Sequence, residues 1–354
     1  MSRIYCRSPY YVNVTGVAND TTSCELFIWN GTGSAPLTAT YTLSKPIPSS
    51  LLTEVNYNVS EYIQEYITHD SYQGIYNTTN SASSIYEWCN VTIKLYKNSV
   101  LQSTTTYKAY YGFGYYESGY NPTTQAFLLT EGTYYYAYDD AVNYTTGLST
   151  LPLKRGGSIM FEATSGYSIV YTNLVSGATY TISLAATKVQ DVFRVYPNYY
   201  ADGNKVEFKD NVGTVLATYY FRPSDACKYE PVVIDFVNIH GAWQREFMMK
   251  ASRTNIEVQE SKYHLMQPVN YTTTKGTIGV FNKNGKQSVS VNTGWVSEDW
   301  NETLRQLMLS ERILVDGKPA TLKTQGTELF EHINEKLINY KLDFEYANFI
   351  VNNI

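Results

Sequence analysis

The chain has 354 residues, of which 43% are hydrophobic and 17% charged, so it is long enough for two or three domains with their own cores. Its formal net charge is −5, with no basic tail or Lys/Arg cluster; a direct grip on nucleic acid, which needs several cations on one face, is not expected. No apolar run approaches the ~20 residues that span a bilayer, so no membrane segment is expected either.

The chain opens on strand-like sequence. Tyr10–Thr15, Cys24–Trp29 and Thr38–Leu43 are rich in aromatic, β-branched and Thr residues, with turns such as Asn30-Gly31 between them. Val59, Tyr62, Ile63, Tyr66 and Ile67 have helical spacing and predict a helix over Ser60–Thr68, capped by Ser60 or Asn58. Strands resume at Ile85–Tyr96 and Ser103–Tyr111. Several strands with one short helix suit an immunoglobulin-like sandwich with an insertion.

Next comes Tyr110-Tyr-Gly-Phe-Gly-Tyr-Tyr-Glu-Ser-Gly-Tyr-Asn-Pro122. Two readings stay open for it, a β-bulge with a bulky turn or an exposed contact loop. Further strands are expected at Tyr134–Tyr138, Ser158–Glu162, Tyr167–Tyr171 and Ala178–Leu184, enough for a second small sandwich. Arg194–Tyr196 and Lys205–Lys209 read as strands joined across Asp202-Gly203-Asn204, followed by Val215–Phe221. Pro231–Ile239 is almost continuously apolar, which predicts a buried strand. Asn284-Gly285, between Ile278–Phe281 and Gln287–Val291, carries a strong hairpin signal, and Asp316-Gly317 sits between Ile313–Val315 and Ala320–Thr324. Between these lies a predicted helix at Glu298–Arg312, with Trp300, Leu304, Leu307 and Met308 on its apolar face. Leu337–Tyr346 alternates, with Ile338, Tyr340, Leu342, Phe344 and Tyr346 on one side.

Charge is unevenly shared. Residues 1–190 hold 9 of the 27 Lys/Arg and 12 of the 32 Asp/Glu, while most tyrosines lie there. The expected organisation is a sandwich-like domain with a short helix over 1–108, a second small β domain over 109–190, and a β-rich assembly domain over 191–354 with its helix at about 298–312. The fold class is therefore read as mainly β and multidomain: an immunoglobulin-like β-sandwich plus a β-rich C-terminal domain with one long helix.

Chemical motifs are missing. His69, His240, His264 and His332 are far apart, with no metal-ligand neighbour at i+2 to i+4. There is no phosphate-binding loop, no dinucleotide fingerprint and no nucleophile elbow. A glycosidase needs only two carboxylates placed in space, which sequence does not exclude. The expectation is no enzyme, no cofactor, no metal and no catalytic residue. Cys6, Cys24, Cys89 and Cys227 form no CxxC pair, and Met1 to Cys6 lacks a secretory leader pattern, so free buried thiols are expected. The Asn-x-Thr triplets at Asn13, Asn77 and Asn143 are then accidental.

The outlier is tyrosine, 35 residues against 13 phenylalanines. Tyrosine fits a half-buried pleated surface and is also a favoured interface residue. Candidate subunit-interface residues are Tyr110, Tyr111, Phe113, Tyr115, Tyr116, Trp243 and Trp295. For the two tryptophans a core position is the favoured alternative.

Several strings resemble virion proteins of tailed phages of Bacteroidota, including crAss-like phages. They are Cys24-Glu-Leu-Phe-Ile-Trp-Asn-Gly31, Tyr41-Thr-Leu-Ser-Lys45, Ser60-Glu-Tyr-Ile-Gln-Glu-Tyr-Ile67 and the tyrosine loop Tyr111 to Pro122. Toward the C-terminus come Cys227-Lys-Tyr-Glu-Pro-Val232, Phe236-Val-Asn-Ile-His-Gly-Ala-Trp-Gln244, Asn292-Thr-Gly-Trp-Val-Ser-Glu298, Leu307-Met-Leu-Ser-Glu311, Lys336-Leu-Ile-Asn-Tyr340 and Phe344-Glu-Tyr-Ala347. Residues 123–226 match only loosely. None of these strings is chemical; they look like fold and packing signatures. The resemblance implies a structural subunit of the virion, in a tail ring or tail tube below the portal. It implies a homo-oligomeric ring of 12 or 6 copies contacting the portal or other tail proteins, assembled in the host cytoplasm. The alternative is a carbohydrate-binding phage adhesin, or a tail-fibre or baseplate component.

Overall fold

The computed structural model describes residues 2–30, 33–48, 53–69, 81–82, 87–114, 134–137, 159–163, 166–184, 191–195, 199–200, 202–223, 231–329 and 338–350. The chain is mainly β, with two short helices among the described residues. It divides into two compact units, Met1–Ser224 with Phe236–Arg245, and Asp225–Asp235 with Glu246–Ile354.

In the first unit a five-stranded sheet runs in the order Ser2–Tyr5, Val100–Tyr110, Trp88–Lys97, Thr21–Asn30, Tyr41–Pro46. Alternation builds its core face: Cys24, Leu26 and Ile28 stand opposite Leu95, Ile93 and Val91, and all six are buried. A two-stranded ribbon, Tyr11–Thr15 with Glu54–Asn58, is tied to this sheet by Thr22, whose hydroxyl lies 2.6 Å from that of Tyr57. The predicted first helix is shorter than expected, Ser60–Gln64; Val59 stands at its N-cap without a side-chain bond, while the Asn58 side chain accepts from the Ser60 amide at 3.3 Å. Asn58 and Ser60 also accept from the Tyr10 amide, and Ser60 donates to the Ser8 carbonyl, which fastens the chain before the ribbon.

A second five-stranded sheet runs Thr179–Ser183, Ser168–Asn173, Asn204–Lys209, Val215–Pro223, Tyr134–Ala137. Ile169, Tyr171, Val206, Phe208, Ala217, Tyr219 and Phe221 form its core. This sheet overturns the boundary predicted at 190/191, because Ser168–Asn173 pairs directly with Asn204–Lys209. It also overturns the predicted hairpin across Asp202-Gly203-Asn204. Asp191–Val195 pairs with Ile159–Ala163 and Ser81–Ala82 in a separate three-stranded sheet. Gly203, with φ of 100°, instead serves the connection from Tyr200 into Asn204–Lys209.

The second unit is built on a sheet whose successive strands include Val232–Val237, Ile313–Val315, Lys318–Leu322, Lys341–Phe349, Ile278–Asn292 and Arg253–His264. The apolar strand predicted at 231–239 is fully buried along its observed length. Asp316 and Gly317, with φ of 48° and 75°, form the turn expected between their strands. The alternating strand starts later than predicted, at Lys341–Phe349; Leu342 and Phe344 on its expected apolar face are buried, as are Ile338 and Tyr340 before it, while Tyr346 is half-buried. The expected long helix is a nine-residue one, Trp300–Met308. Trp300, Leu304 and Leu307 are buried, Trp300 stacks on Tyr340 at 6.0 Å, and the Trp300 indole N–H donates to Glu246.

Asn284-Gly285 is the clearest departure from expectation. Ile278–Asn292 runs straight through it as one strand of 15 residues. The positive φ falls on Asn282 (55°), where the register against Arg253–His264 shifts by one residue. The pair therefore sits beside a β-bulge and makes no turn. Gly285 lies close to the last strand: its carbonyl accepts from Ile350, and a Cβ there would stand 3.1 Å from the end of the Ile350 side chain.

Candidate interaction surface

The predicted interface residues separate into two groups. Tyr110, Tyr111 and Trp243 are 0%, 6% and 4% exposed, so they are core residues of the first unit and not free anchors. For these three the structure corrects the contact reading. Phe113 is half-buried under the Arg7 guanidinium, 4.7 Å from its ring centre. Tyr115 and Tyr116 lie outside the described residues. Trp295 alone of the described candidates is open, at 60% exposure.

The buried group forms a backbone crossing. Residues 110–113 meet residues 239–243, so two strings singled out in the sequence pack on each other. The Phe113 amide donates to Ile239, and the His69 Nε2 proton is donated to the Gly241 carbonyl. The Tyr5 hydroxyl lies 3.2 Å from His240 Nδ1, and Tyr5, Trp88, Tyr110 and Ala242 make a small core. Two glycines permit the approach. A Cβ on Gly112 would stand 2.5 Å from the Ile239 carbonyl, and one on Gly241, with φ of 81°, 2.6 Å from the Tyr111 amide. Burial pushes His240 down to about 3, so its ring is neutral. These features specify packing. Among the described residues no group of three His, Cys, Asp or Glu side chains could hold a metal ion. No described helix is long and apolar enough to cross a membrane.

One exposed strand lies in the second unit. Every residue of Arg253–His264 is exposed, and this strand is the edge of its sheet. Its partner Ile278–Asn292 pairs with Lys341–Phe349 only from Lys286 onward. Beyond that point the two strands and the 265–277 loop form a two-stranded ribbon, which we call the arm. A lone two-stranded ribbon is marginal in water. This one also exposes Val258 at its base and Tyr263, Ile278, Val280 and Phe281 farther out, and Ile256 is exposed one step before it. Met266 and Val269 at the loop are fully exposed. Ile256 and Val258 share a face with buried Val289, so the core face of the sheet continues outward without cover. Charge on the arm is largely internal. Glu260 meets Lys262 at 2.9 Å and Lys283 at 3.5 Å. The Lys262 hydrogen bond, then the nearby lysine charges, hold its carboxyl below the usual range.

Sequence reasoning missed the arm because the Asn284-Gly285 hairpin signal divided its second strand. The alternation of Ile256 and Val258 with Asn255, Glu257 and Gln259 was the available signal. In the comparisons with known proteins, no family model and no curated protein matches this chain.

Proposed function

We propose that this chain is a structural subunit of a bacteriophage virion, one copy of a tail ring or tail tube below the portal. The observation that carries the reading is the arm. An edge strand whose Ile256 and Val258 continue a core face outward is a template for another chain on its inner half, while Glu260, Lys262 and the bulge beside Gln259 guard its outer half. The ordered resemblance of many strings to phage virion proteins adds a context in which that edge is covered by assembly.

In this reading the protein works by being built in, without catalysis and without a cofactor. Its partners are further copies of itself, 12 or 6 in a closed ring, and the portal or adjoining tail proteins. Ring closure uses head-to-tail contacts, one patch meeting a different patch on the next copy. The net charge of −5 suits a lumen that lets DNA slide and neither binds nor recognises it. Trp295 and the arm supply the exposed contact residues. The five-stranded sheet and the Tyr11–Thr15/Glu54–Asn58 ribbon are read as an immunoglobulin-like sandwich, supported by their shared Thr22–Tyr57 contact.

Antibody labelling of purified virions that carry this chain tests the proposal. Label at the head–tail junction or along the tail tube is the expected outcome. Label confined to peripheral fibres would select the adhesin alternative.

A further inference from the structure

We infer that the outer edge of Arg253–His264 pairs with the edge strand Thr179–Ser183 of a second copy, so that two sheets become one across the subunit boundary. The inference rests on the ring reading and names the surfaces that such a ring joins.

Three observations lead to it. First, among the described residues both strands end their sheets, and every residue of Thr179–Ser183 except Ile182 is exposed. Second, Thr179–Ser183 lacks the usual protection of an edge. It reads Thr-Tyr-Thr-Ile-Ser, with no charge, no proline and no bulge in its pairing with Ser168–Thr172. The edge strand Tyr41–Pro46, by contrast, carries Lys45 and Pro46. Third, the two edges match in pattern. Tyr180 and Ile182 share one face and Thr179, Thr181 and Ser183 the other. On the arm, Ile256 and Val258 share one face and Asn255, Glu257 and Gln259 the other. Side-by-side pairing sets apolar against apolar and polar against polar, and an uncharged strand meets the arm's carboxylates without like-charge repulsion.

The two surfaces differ, so the contact is head-to-tail and each copy offers both halves. This is the geometry a ring needs. Strand addition of this kind draws its affinity from main-chain hydrogen bonds and its selectivity from alternate side chains. It would also brace the base of the arm, at Val258 and Gln259, with a further strand.

The test uses the full chain with Cys227→Ser, treated with a short bismaleimide. Thr181→Cys and Gln259→Cys are both at exposed polar positions. The double variant should give a ladder of covalent multimers, an equal mixture of the two single variants should stop at dimers, and each single variant alone should stay monomeric. Adding Ser183→Lys to the Thr181→Cys chain, as an edge guard, should abolish its cross-linking to Gln259→Cys while circular dichroism stays unchanged. Dimers from Gln259→Cys alone would mean two-fold pairing of arms and overturn the inference. Particle mass in the same samples separates the two claims. Rings that form without cross-links overturn the edge pairing and leave the ring reading standing. Monomers at every concentration, with no cross-links, overturn both.

Discussion

Replacing Gly241 by alanine probes the crossing at the heart of the first unit. The backbone there has φ of 81°, a region that costs a residue with a side chain about 1–2 kcal/mol. The added Cβ would also stand 2.6 Å from the Tyr111 nitrogen, 2.8 Å from its carbonyl carbon and 2.9 Å from the Gly112 nitrogen. All three are backbone atoms, so no side chain can swing away; overpacking of this kind adds about 1–3 kcal/mol. The sum is about 2–5 kcal/mol, a fall in melting temperature of roughly 5–15 °C for a unit of this size. Gly177 supplies the control. Its φ is 70°, but nothing lies within 4 Å of its Cβ position, so Gly177→Ala should cost only the conformational part. Differential scanning calorimetry of both full-length variants reads the difference. A Gly241→Ala shift no larger than that of Gly177→Ala would refute the tight crossing.

Other outcomes follow from the same geometry. Leu304→Ala empties a fully buried position on the Trp300–Met308 helix and should destabilise the second unit by about 2–5 kcal/mol in urea unfolding. His240 is held near 3 when folded against an ordinary value of 6.5, so the unfolded chain binds the proton first. Its contribution to stability is complete above pH 6.5 and falls by about 1.4 kcal/mol per pH unit as acid is added toward pH 3. His240→Gln should flatten that part of a stability–pH profile, and an unchanged slope would count against a buried neutral ring. Burial raises the Cys24 thiol to about 12 and lifts Cys89 well above its usual value. Neither should react with iodoacetamide in the native protein at pH 8, while thiol counting after denaturation without reductant should find all four cysteines.

Much of the fold was legible because local chemistry and tertiary packing agreed. The alternation around Leu342 and Phe344, the apolar run at Val232–Val237 and the Asp316-Gly317 turn all survive in three dimensions. Asn284-Gly285 failed because a bulge and a turn share the same residue preferences, and only pairing with Arg253–His264 decides between them. Asp202-Gly203-Asn204 failed because the partner of Asn204–Lys209 is the distant Ser168–Asn173. The 190/191 boundary followed a change in charge that this pairing ignores. A 191–354 fragment would therefore leave Asn204–Lys209 without that neighbour. The candidate site was harder to read. Aromatic density pointed to Tyr110, Tyr111 and Trp243, yet aromatic residues serve cores and interfaces alike, and glycine-permitted backbone contact drew these three inside. The arm carries fewer aromatics and was marked only by a short alternation.

A symmetric reconstruction of the virion tail would decide whether this chain is a ring subunit. It should appear as a closed ring of 12 or 6 copies around the tail axis, with residues 253–292 of each copy covered by a neighbour. A peripheral trimeric spike, or a ring in which that segment faces solvent, would contradict it.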